Sequence, residues 1–552
     1  MSKNSNEIIL EMGEDTDLSS ISLDESDEEQ TKKVKVRKIL VPKKGDDNFI
    51  NATWVDTPKT RGRKKALNVL KKIGFEKSLI RDMKDKPIEY FFGLFFSDEM
   101  LNMIVHSTNI KISKISSEKC TDIVELRAVI GCLIYLGTFN KPPIRDIFKE
   151  NYLYNSHLLP IRNTFSRERF SFILKNISVG EKLCKESNIV DKANQIRKFE
   201  QCFNLISSSL CSPESITIDE SLIGFKGRCC FLQYIPSKPD KIGLKVQMAA
   251  DSHKRFIYCI ELYGGRRITE DGEIIQNTGL EIVKRFILNY FSKATGFTIC
   301  TDSYYTSLNL LYFLKERNIA FIGTIRQNRK EVPQEMKHNA KRTLKSTIVK
   351  YLDNDASLTS HMCKTKKTVL ILSSEYHDTL PIQGEKPASV KRYNELKSGV
   401  DVIDNMVKTH TTRIKTQSWV RAYIFRIIDF AMCNAYSLYK ESSHSECSRI
   451  EFHRKVGENL MQPIAMTRLS NIYLPKNKLR NIENFVNTDN DGDNNTNEIN
   501  TTINKRGKCY ECQENNEKKR KTIKQCYKCN KNICISHFNI ICFSCKNSHN
   551  SN

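Results

Sequence analysis

The sequence predicts an α/β protein in which helices flank a mixed β-sheet. Short runs rich in β-branched and aromatic residues begin near Ile216 and follow the order strand, strand, strand, helix, strand, helix, strand. Strands joined first by hairpins and then by helical crossovers are typical of a sheet with both antiparallel and parallel pairs. A stretch with helical periodicity precedes these runs, and a Cys-rich segment lies near the end of the chain.

The individual elements follow from the spacing of apolar residues. From Pro87 to about residue 210 these residues recur at helical intervals, which predicts a mainly helical region. The predicted strands are 216–218, 242–248, 256–262, 297–300 and 320–325, and the helices between the later strands are 279–290 and 308–317. Residues 330–385 lack long periodicity, which indicates an insertion or a peripheral subdomain, and a further helical stretch runs over 400–439.

The chain carries a large excess of positive charge. Lysine and arginine total 88 against 64 acidic residues, a formal net charge of +24 at pH 7, although residues 1–30 contain ten acidic residues and one lysine. Such a surplus predicts attraction to nucleic acid or to an anionic membrane surface. The longest apolar stretch, near 128–136, is much shorter than the roughly 20 residues that cross a bilayer, so we expect no membrane-spanning segment. Basic runs between 32 and 65 resemble nuclear import signals or phosphate contacts, but solvated charge runs look the same.

Four aspartates are placed where they could share metal ions. Asp219 follows the first predicted strand and Asp302 the fourth, so both would lie at one edge of the sheet if these strands are neighbours. Asp401 and Asp404 are three residues apart, which puts both on one face of a helix. Clustered carboxylates suit two hard divalent cations that assist a phosphoryl displacement. An Asp after a strand is also common as a turn residue or helix cap, so spacing alone leaves both interpretations open.

The carboxyl-terminal part contains four pairs of potential metal ligands, each with two residues between the partners. The pairs are Cys509 and Cys512, Cys526 and Cys529, Cys534 and His537, and Cys542 and Cys545. Eight ligands in this pattern match two tetrahedral structural Zn²⁺ ions. The alternative is a disulfide-linked segment, which needs an oxidising compartment and leaves the histidine without a role.

Several blocks of the sequence resemble those of piggyBac-type transposases. The first block reads IDESL at 218–222, GFKGR at 224–228, YIPSKP at 234–239 and GLK at 243–245. The second reads TDSYYTS at 301–307 and GTIRQNR at 323–329, and the third reads GVDVIDNM at 399–406. With FSRERF at 165–170 upstream and the Cys-rich end downstream, the similarity covers most of the chain from about 87 to 545.

The resemblance implies a ribonuclease-H-like catalytic core with an insertion, flanked by helical dimerisation and DNA-binding regions and followed by a C-terminal Cys-rich zinc module. Composition predicts a disordered region over 1–86, acidic then basic, and an Asn-rich linker over 476–508. The resemblance divides the rest as follows: 87–214, a helical dimerisation and DNA-binding domain; 215–329, the first part of the catalytic core; 330–388, the insertion domain; 389–410, the second part of the core; 411–475, the second helical DNA-binding part; 509–545, the zinc-binding domain.

The resemblance also implies cut-and-paste DNA transposition. Asp219, Asp302 and Asp401 match the family's metal-binding triad, and Asp404 matches an additional essential acid. A transposase of this kind would use two Mg²⁺ (or Mn²⁺) ions, cleave transposon ends through hairpin intermediates and join them to TTAA targets. The expected partners are double-stranded DNA, both terminal repeats and target, and a second copy in a homodimer; the expected location is the nucleus. The alternative is a domesticated relative that binds DNA or chromatin without cleaving it.

Basic and aromatic residues near these blocks are candidate DNA contacts. Those around the first acid in the sequence are Arg228, Lys238, Lys241 and Lys245. Trp419 follows the third block and could stack on a displaced base or, alternatively, anchor the next helix in the core. The residues between the first two Cys pairs include Lys519, Arg520 and Lys521. Their charge favours DNA binding by the zinc module, with histone or protein binding as the alternative.

Overall fold

The computed structural model describes most of the chain between the first strand and the start of the Cys-rich segment. The described residues are 39–42, 49–57, 73–115, 117–139, 142–149, 156–181, 190–269, 271–339, 341–352, 356–375, 384–442, 447–471, 473–487, 507–514 and 521–522. No helix within these ranges is both long enough and apolar enough to span a lipid bilayer.

The amino-terminal part of the described chain is mainly helical. Its strands are β1 (Ile39–Pro42), β2 (Phe49–Ala52) and β3 (Gly74–Phe75). Its helices are α1 (Lys77–Met83), α2 (Ile88–Phe95), α3 (Asp98–Ile115), α4 (Ile123–Leu136), α5 (Ile144–Ile147), α6 (Leu159–Thr164), α7 (Arg167–Asn176) and α8 (Asn194–Leu210). The side chains of Asp122 and Ser166 cap α4 and α7 by accepting the backbone N–H three residues on.

The middle of the chain forms the main sheet and two crossover helices. The elements are β4 (Cys211–Ser212), β5 (Ser215–Gly224), β6 (Gln233–Tyr234), β7 (Ile242–Asp251), β8 (Ile257–Leu262), β9 (Arg267–Ile268), β10 (Ile274–Ile275), α9 (Gly279–Tyr290), β11 (Thr298–Thr301), α10 (Leu308–Glu316), β12 (Ala320–Thr324), β13 (Thr347–Leu352), β14 (Ala356–Lys364) and β15 (Lys367–Ser373). The strand order is β13, β14, β15, β12, β11, β5, β7 and β6, with β8 also pairing with β7.

This sheet is mixed, as the sequence predicted. β7 runs antiparallel to both β5 and β8. β11 runs parallel to both β5 and β12. The α/β class and the mixed sheet are therefore confirmed, and helices α9 and α10 supply the two crossover connections.

The region predicted as an insertion extends the sheet instead of lying apart from it. β13, β14 and β15 form an antiparallel meander, and β15 pairs antiparallel with β12 at the sheet edge. These strands were not predicted from the sequence because three polar residues, Ser357, Thr359 and Ser360, occupy fully buried positions in β14. The alternation of apolar and polar residues that identifies a strand is therefore missing.

The second helical part packs back onto the first. Its elements are α11 (Ala388–Leu396), α12 (Gly399–Thr409), α13 (Trp419–Ser442), α14 (Arg449–Leu469), α15 (Lys476–Asn487), β16 (Gly507–Lys508), α16 (Tyr510–Glu514) and β17 (Lys521–Thr522). α14 lies against α4 where Gly131 meets Gly457, and a Cβ on Gly131 would be 2.7 Å from the Gly457 carbonyl oxygen. One continuous apolar core joins both helical parts to the sheet.

Two segments differ from the prediction made from composition. β1, β2, β3 and α1 lie inside the region 1–86 that was predicted to be disordered. α15 occupies the first part of the predicted linker 476–508 and buries Ile482, Phe485 and Val486. These apolar residues have the spacing of an amphipathic helix. The linker prediction used the average composition of 476–508, in which their polar neighbours predominate.

Candidate active site

Two of the predicted acids meet at the edge where β5 and β11 stop pairing. The parallel register ends with Ile218 opposite Thr301, so Asp219 and Asp302 are the next residues on neighbouring strands. Adjacent strands lie about 4.8 Å apart, which brings the two carboxylates to the same point of the sheet. The Glu220 N–H donates to Asp219 Oδ1 (2.8 Å), and the Tyr304 N–H donates to Asp302 Oδ1 (3.0 Å).

Helix α12 carries the other two acids and is fixed closely against β5. A Cβ at Gly399 would lie 2.9 Å from both Asp251 O and Thr217 Oγ1, so the first turn of α12 can approach the sheet only with glycine there. The Ser221 hydroxyl of β5 donates to Asp404 Oδ1 (2.5 Å). The contact joins residues 183 positions apart and brings Asp404 to the strand that carries Asp219.

The two acids of α12 differ in exposure. The side chain of Asp404 is only 12% exposed, whereas that of Asp401 is 65% exposed. Both nevertheless face the same cation, because Lys238 Nζ lies 3.5 Å from Asp401 Oδ1 and 3.5 Å from Asp404 Oδ2. The two carboxylates therefore share one face of the helix, as their spacing predicted.

Burial and neighbouring carboxylates both disfavour the charged forms of Asp219 and Asp302. Burial, followed by the charges of Glu220 and Asp302, raises the pKa of Asp219 to about 7. Burial is also the main cause that raises the pKa of Asp302, with Glu220 adding to it and Arg326 opposing it. Glu220 thus belongs to the cluster, although it was not among the predicted site residues. Its position directly after Asp219 was the available signal.

Lys238, predicted as a DNA contact, lies inside this cluster. Burial alone would lower the pKa of Lys238, but the carboxylates of Asp404, Asp219 and Asp401 raise it above its ordinary value. Its side chain is 15% exposed. The other predicted contacts of this block are farther out: Arg228 and Lys241 are exposed, and Lys245 Nζ lies 4.8 Å from the centroid of the Tyr304 ring.

The structure describes Trp419 but only part of the predicted zinc module. Trp419 begins α13, is half-buried, and makes an edge contact with the Phe231 ring at 5.1 Å. Cys509 and Cys512 are both buried around α16, and Lys521 begins β17. The residues that fall outside the described part of the chain are Cys526, Cys529, Cys534, His537, Cys542, Cys545, Lys519 and Arg520.

A basic groove that was not predicted from the sequence lies beyond the ends of β5 and α12, the elements that carry three of the acids. A cavity of about 320 Å³ beyond the end of β5 is lined in part by Lys226, Arg413 and Lys415. A second cavity of about 430 Å³ shares Arg413 and Lys415 and adds Lys408 from the last turn of α12. Arg413 Nη1 lies 3.5 Å from Asp240 Oδ2. The close spacing of Lys408 at the end of the acidic helix and of Arg413 and Lys415 directly after it was the signal that could have revealed this groove.

The donor set fits hard divalent cations. Carboxylate oxygens are the ligands that Mg²⁺ and Mn²⁺ prefer. Burial, followed by the negative charges of Glu220 and Asp302, raises the pKa of Asp219, and a bound divalent cation would offset both effects. Among the described residues, no three Asp, Glu, His or Cys side chains already converge at metal-binding distance. Asp219, Asp302, Asp401 and Asp404 are the residues of this cluster that could hold such ions.

Comparison with known proteins agrees with this architecture. A family profile described as Transposase IS4 matches residues 86–436, which is more than half of the chain. A solved structure described as the cryo-EM structure of a piggyBac transposase synaptic complex with hairpin DNA superposes with a TM-score of 0.67 and 27% identity. That match covers 86% of this chain and 100% of the other.

Curated human proteins are also similar. PiggyBac transposable element-derived protein 3 is 23% identical over 385 residues, covering 66% of this chain and 63% of the relative. PiggyBac transposable element-derived protein 2 is 22% identical over 385 residues, covering 65% and 63%. The chain thus spans less than two thirds of the length of these relatives. The profile match, the human relatives and the solved structure together confirm the resemblance, and the chain belongs to the piggyBac-type transposase family.

Proposed function

We propose that the chain is a cut-and-paste DNA transposase. It would cleave transposon ends by metal-dependent hydrolysis and transesterification through hairpin intermediates and join them to TTAA targets. The observation that carries the proposal is the grouping of four acids from distant segments. Asp219 and Asp302 follow the last paired residues of β5 and β11, Asp404 is hydrogen-bonded to Ser221 of β5, and Asp401 and Asp404 face the same lysine, Lys238. The similarity to a synaptic complex with hairpin DNA supports double-stranded DNA as the partner.

A ribonuclease-H-like core is part of this proposal. The supporting feature is the strand order β8, β7, β5, β11, β12, in which the first three strands are antiparallel and the last two run parallel to β5. The acids sit at the carboxyl ends of the paired segments of β5 and β11, where open α/β sheets place their ligands. β13, β14 and β15 would then be the insertion between the second and third acidic blocks.

The proposed roles of the residues follow from their positions. Asp219, Asp302, Asp401 and Asp404 would hold two Mg²⁺ (or Mn²⁺) ions. When bound, such ions activate the attacking oxygen and stabilise the leaving oxygen of a phosphoryl displacement. Ser221 orients Asp404 through its hydrogen bond. The basic groove of Lys226, Lys408, Arg413 and Lys415 would bind DNA phosphates beside the acids, and Trp419 could stack on a base at its border.

Strand cleavage by an Asp302→Asn variant tests the proposal. The substitution keeps the shape of the side chain and removes one charge from the cluster, so we expect normal folding and DNA binding with loss of cleavage of terminal-repeat DNA. Asp271→Asn, which changes an exposed loop carboxyl, is the control and should cleave normally. Cleavage retained in Asp302→Asn would exclude Asp302 from the chemistry.

A non-cleaving DNA- or chromatin-binding protein is the second candidate function. It is favoured by the names of the human relatives, which describe proteins derived from a transposable element. Titration with Mn²⁺ separates the two candidates. A transposase should bind paired divalent ions at the acid cluster, whereas a protein that only binds DNA should show no such site.

The remaining parts of the proposal concern the whole molecule. We infer two structural Zn²⁺ ions in 509–545, held by Cys509, Cys512 and the six further ligands of the predicted pairs. The burial of Cys509 and Cys512 is consistent with ligands facing a shared ion. Native mass spectrometry should find two zinc ions per chain, and a folded metal-free tail would contradict this. A homodimer and a nuclear location are proposed from the family resemblance and the basic runs.

A further inference from the structure

Lys238 is held in the acid cluster by a well-defined turn. It lies between β6 and β7, whose pairing fixes both ends of the loop. The Lys238 N–H donates to Ile235 O (3.1 Å), the Lys241 N–H donates to Lys238 O (3.1 Å), and the Ile235 N–H donates to Lys241 O (2.7 Å). Both backbone polar groups of Lys238 are therefore engaged, and the fold sets the point from which its side chain reaches Asp401 and Asp404.

The ammonium faces the carboxylate oxygens that a metal ion would need. Asp404 Oδ1 already accepts the Ser221 hydroxyl, and Asp404 Oδ2 is the oxygen that lies 3.5 Å from Lys238 Nζ. Asp401 Oδ1 lies at the same distance from the ammonium. A cation that binds between Asp401 and Asp404 must therefore compete with Lys238 for these oxygens.

The distances indicate a pairing that can be displaced. Strong charge-assisted hydrogen bonds between an ammonium and a carboxylate are about 2.7–2.9 Å long. Both contacts of Lys238 are 3.5 Å, so its attraction to the acids is mainly Coulombic and is shared between two partners. The single positive charge of Lys238 also cannot balance all the carboxylates of the cluster, since Asp219, Glu220 and Asp302 lie close by.

We propose that Lys238 is a tethered counter-ion for the acid cluster, which occupies the position between Asp401 and Asp404 until a divalent cation displaces it. This inference rests on the proposed metal-dependent function. In the metal-free protein, Lys238 reduces the repulsion between the acids. Because it competes for the same oxygens, it also lowers the affinity of the cluster for divalent cations. It is a positioning residue, and its displacement accompanies metal loading.

The test compares Lys238→Met with Lys241→Met, which removes the same charge from the same loop at an exposed position. Binding of Mn²⁺ to the full chain is measured by calorimetry, and melting is measured in EDTA. Removing a unit charge a few ångström from both carboxylates should make Lys238→Met bind Mn²⁺ at least about tenfold more tightly than wild type. The same variant should melt at lower temperature in EDTA, and excess Mn²⁺ should restore most of the loss.

Lys238→Arg serves as the second variant, because it keeps the charge and should bind Mn²⁺ no more tightly than wild type. If wild type binds Mn²⁺ and Lys238→Met binds it equally or more weakly, the tethered counter-ion is refuted while the proposed function stands. If none of the proteins binds Mn²⁺, the metal-dependent function itself fails and the inference falls with it. A Lys241→Met variant that matches Lys238→Met would show that general charge, and not this position, controls affinity.

Discussion

Replacing Asp219 by Asn should stabilise the metal-free protein at neutral and alkaline pH. Asp219 is buried beside Glu220 and Asp302, so its ionised form is disfavoured in the fold and its pKa rises from 3.8 to about 7. At about 1.36 kcal/mol per pH unit, this difference corresponds to about 4 kcal/mol of stability lost when the carboxyl is charged. Asparagine has nearly the same shape without the charge, and so avoids that cost.

The pH dependence has a definite sign. Below 3.8 the carboxyl is protonated in the folded and unfolded states alike, so it has no effect on the free energy of unfolding. Between 3.8 and about 7 the folded state binds more protons than the unfolded state, and stability falls as pH rises. Above about 7 the loss is complete and constant.

Thermal melts in EDTA between pH 5 and pH 8.5 would measure this effect. The gain in melting temperature of Asp219→Asn over wild type should grow with pH and level off above about pH 7, as its pKa requires. Asp271→Asn, an exposed loop carboxyl, should show no such trend. An Asp219→Asn protein that melts no higher than wild type at pH 8.5 would refute the reasoning. Excess Mn²⁺ should stabilise wild type more than Asp219→Asn, because the variant lacks one proposed ligand.

Two other predictions follow from the packing and the groove. Gly399→Ala should destabilise the protein by about 1–3 kcal/mol, because its Cβ would lie 2.9 Å from Asp251 O. Gly93→Ala, in a helix with nothing within 4 Å of the new Cβ, should instead stabilise by about 0.5–1 kcal/mol, and chemical denaturation compares the two. Replacing Arg413 and Lys415 together by Met should reduce the steepness of log K against log salt for DNA binding by about 1.8 if each contacts one phosphate, and an unchanged slope would exclude the groove as a phosphate site.

Local patterns in the sequence were sufficient for helix α9 and for the first part of the strand that carries Asp219, which was predicted as 216–218 but extends to Gly224. Helix α9 spans Gly279–Tyr290, the range predicted from its apolar spacing. The strand runs before Asp219 and Asp302 were recognisable from β-branched residues, and the ends of parallel strands meet at one sheet edge, so the adjacency of these acids could be predicted. β13, β14 and β15 could not, because buried polar side chains such as Ser357 and Thr359 replace the usual apolar alternation.

The sequence by itself determined which acids are present, the periodic elements that carry them and the excess of basic charge. Only the tertiary structure decided that Lys238 lies among the acids, because its contact with Asp401 joins residues 163 positions apart. The same holds for the hydrogen bond from Ser221 to Asp404 and for the groove that brings Lys226 next to Arg413. Such contacts depend on how closely α12 approaches β5, which is set by packing at Gly399 and not by any local pattern of residues.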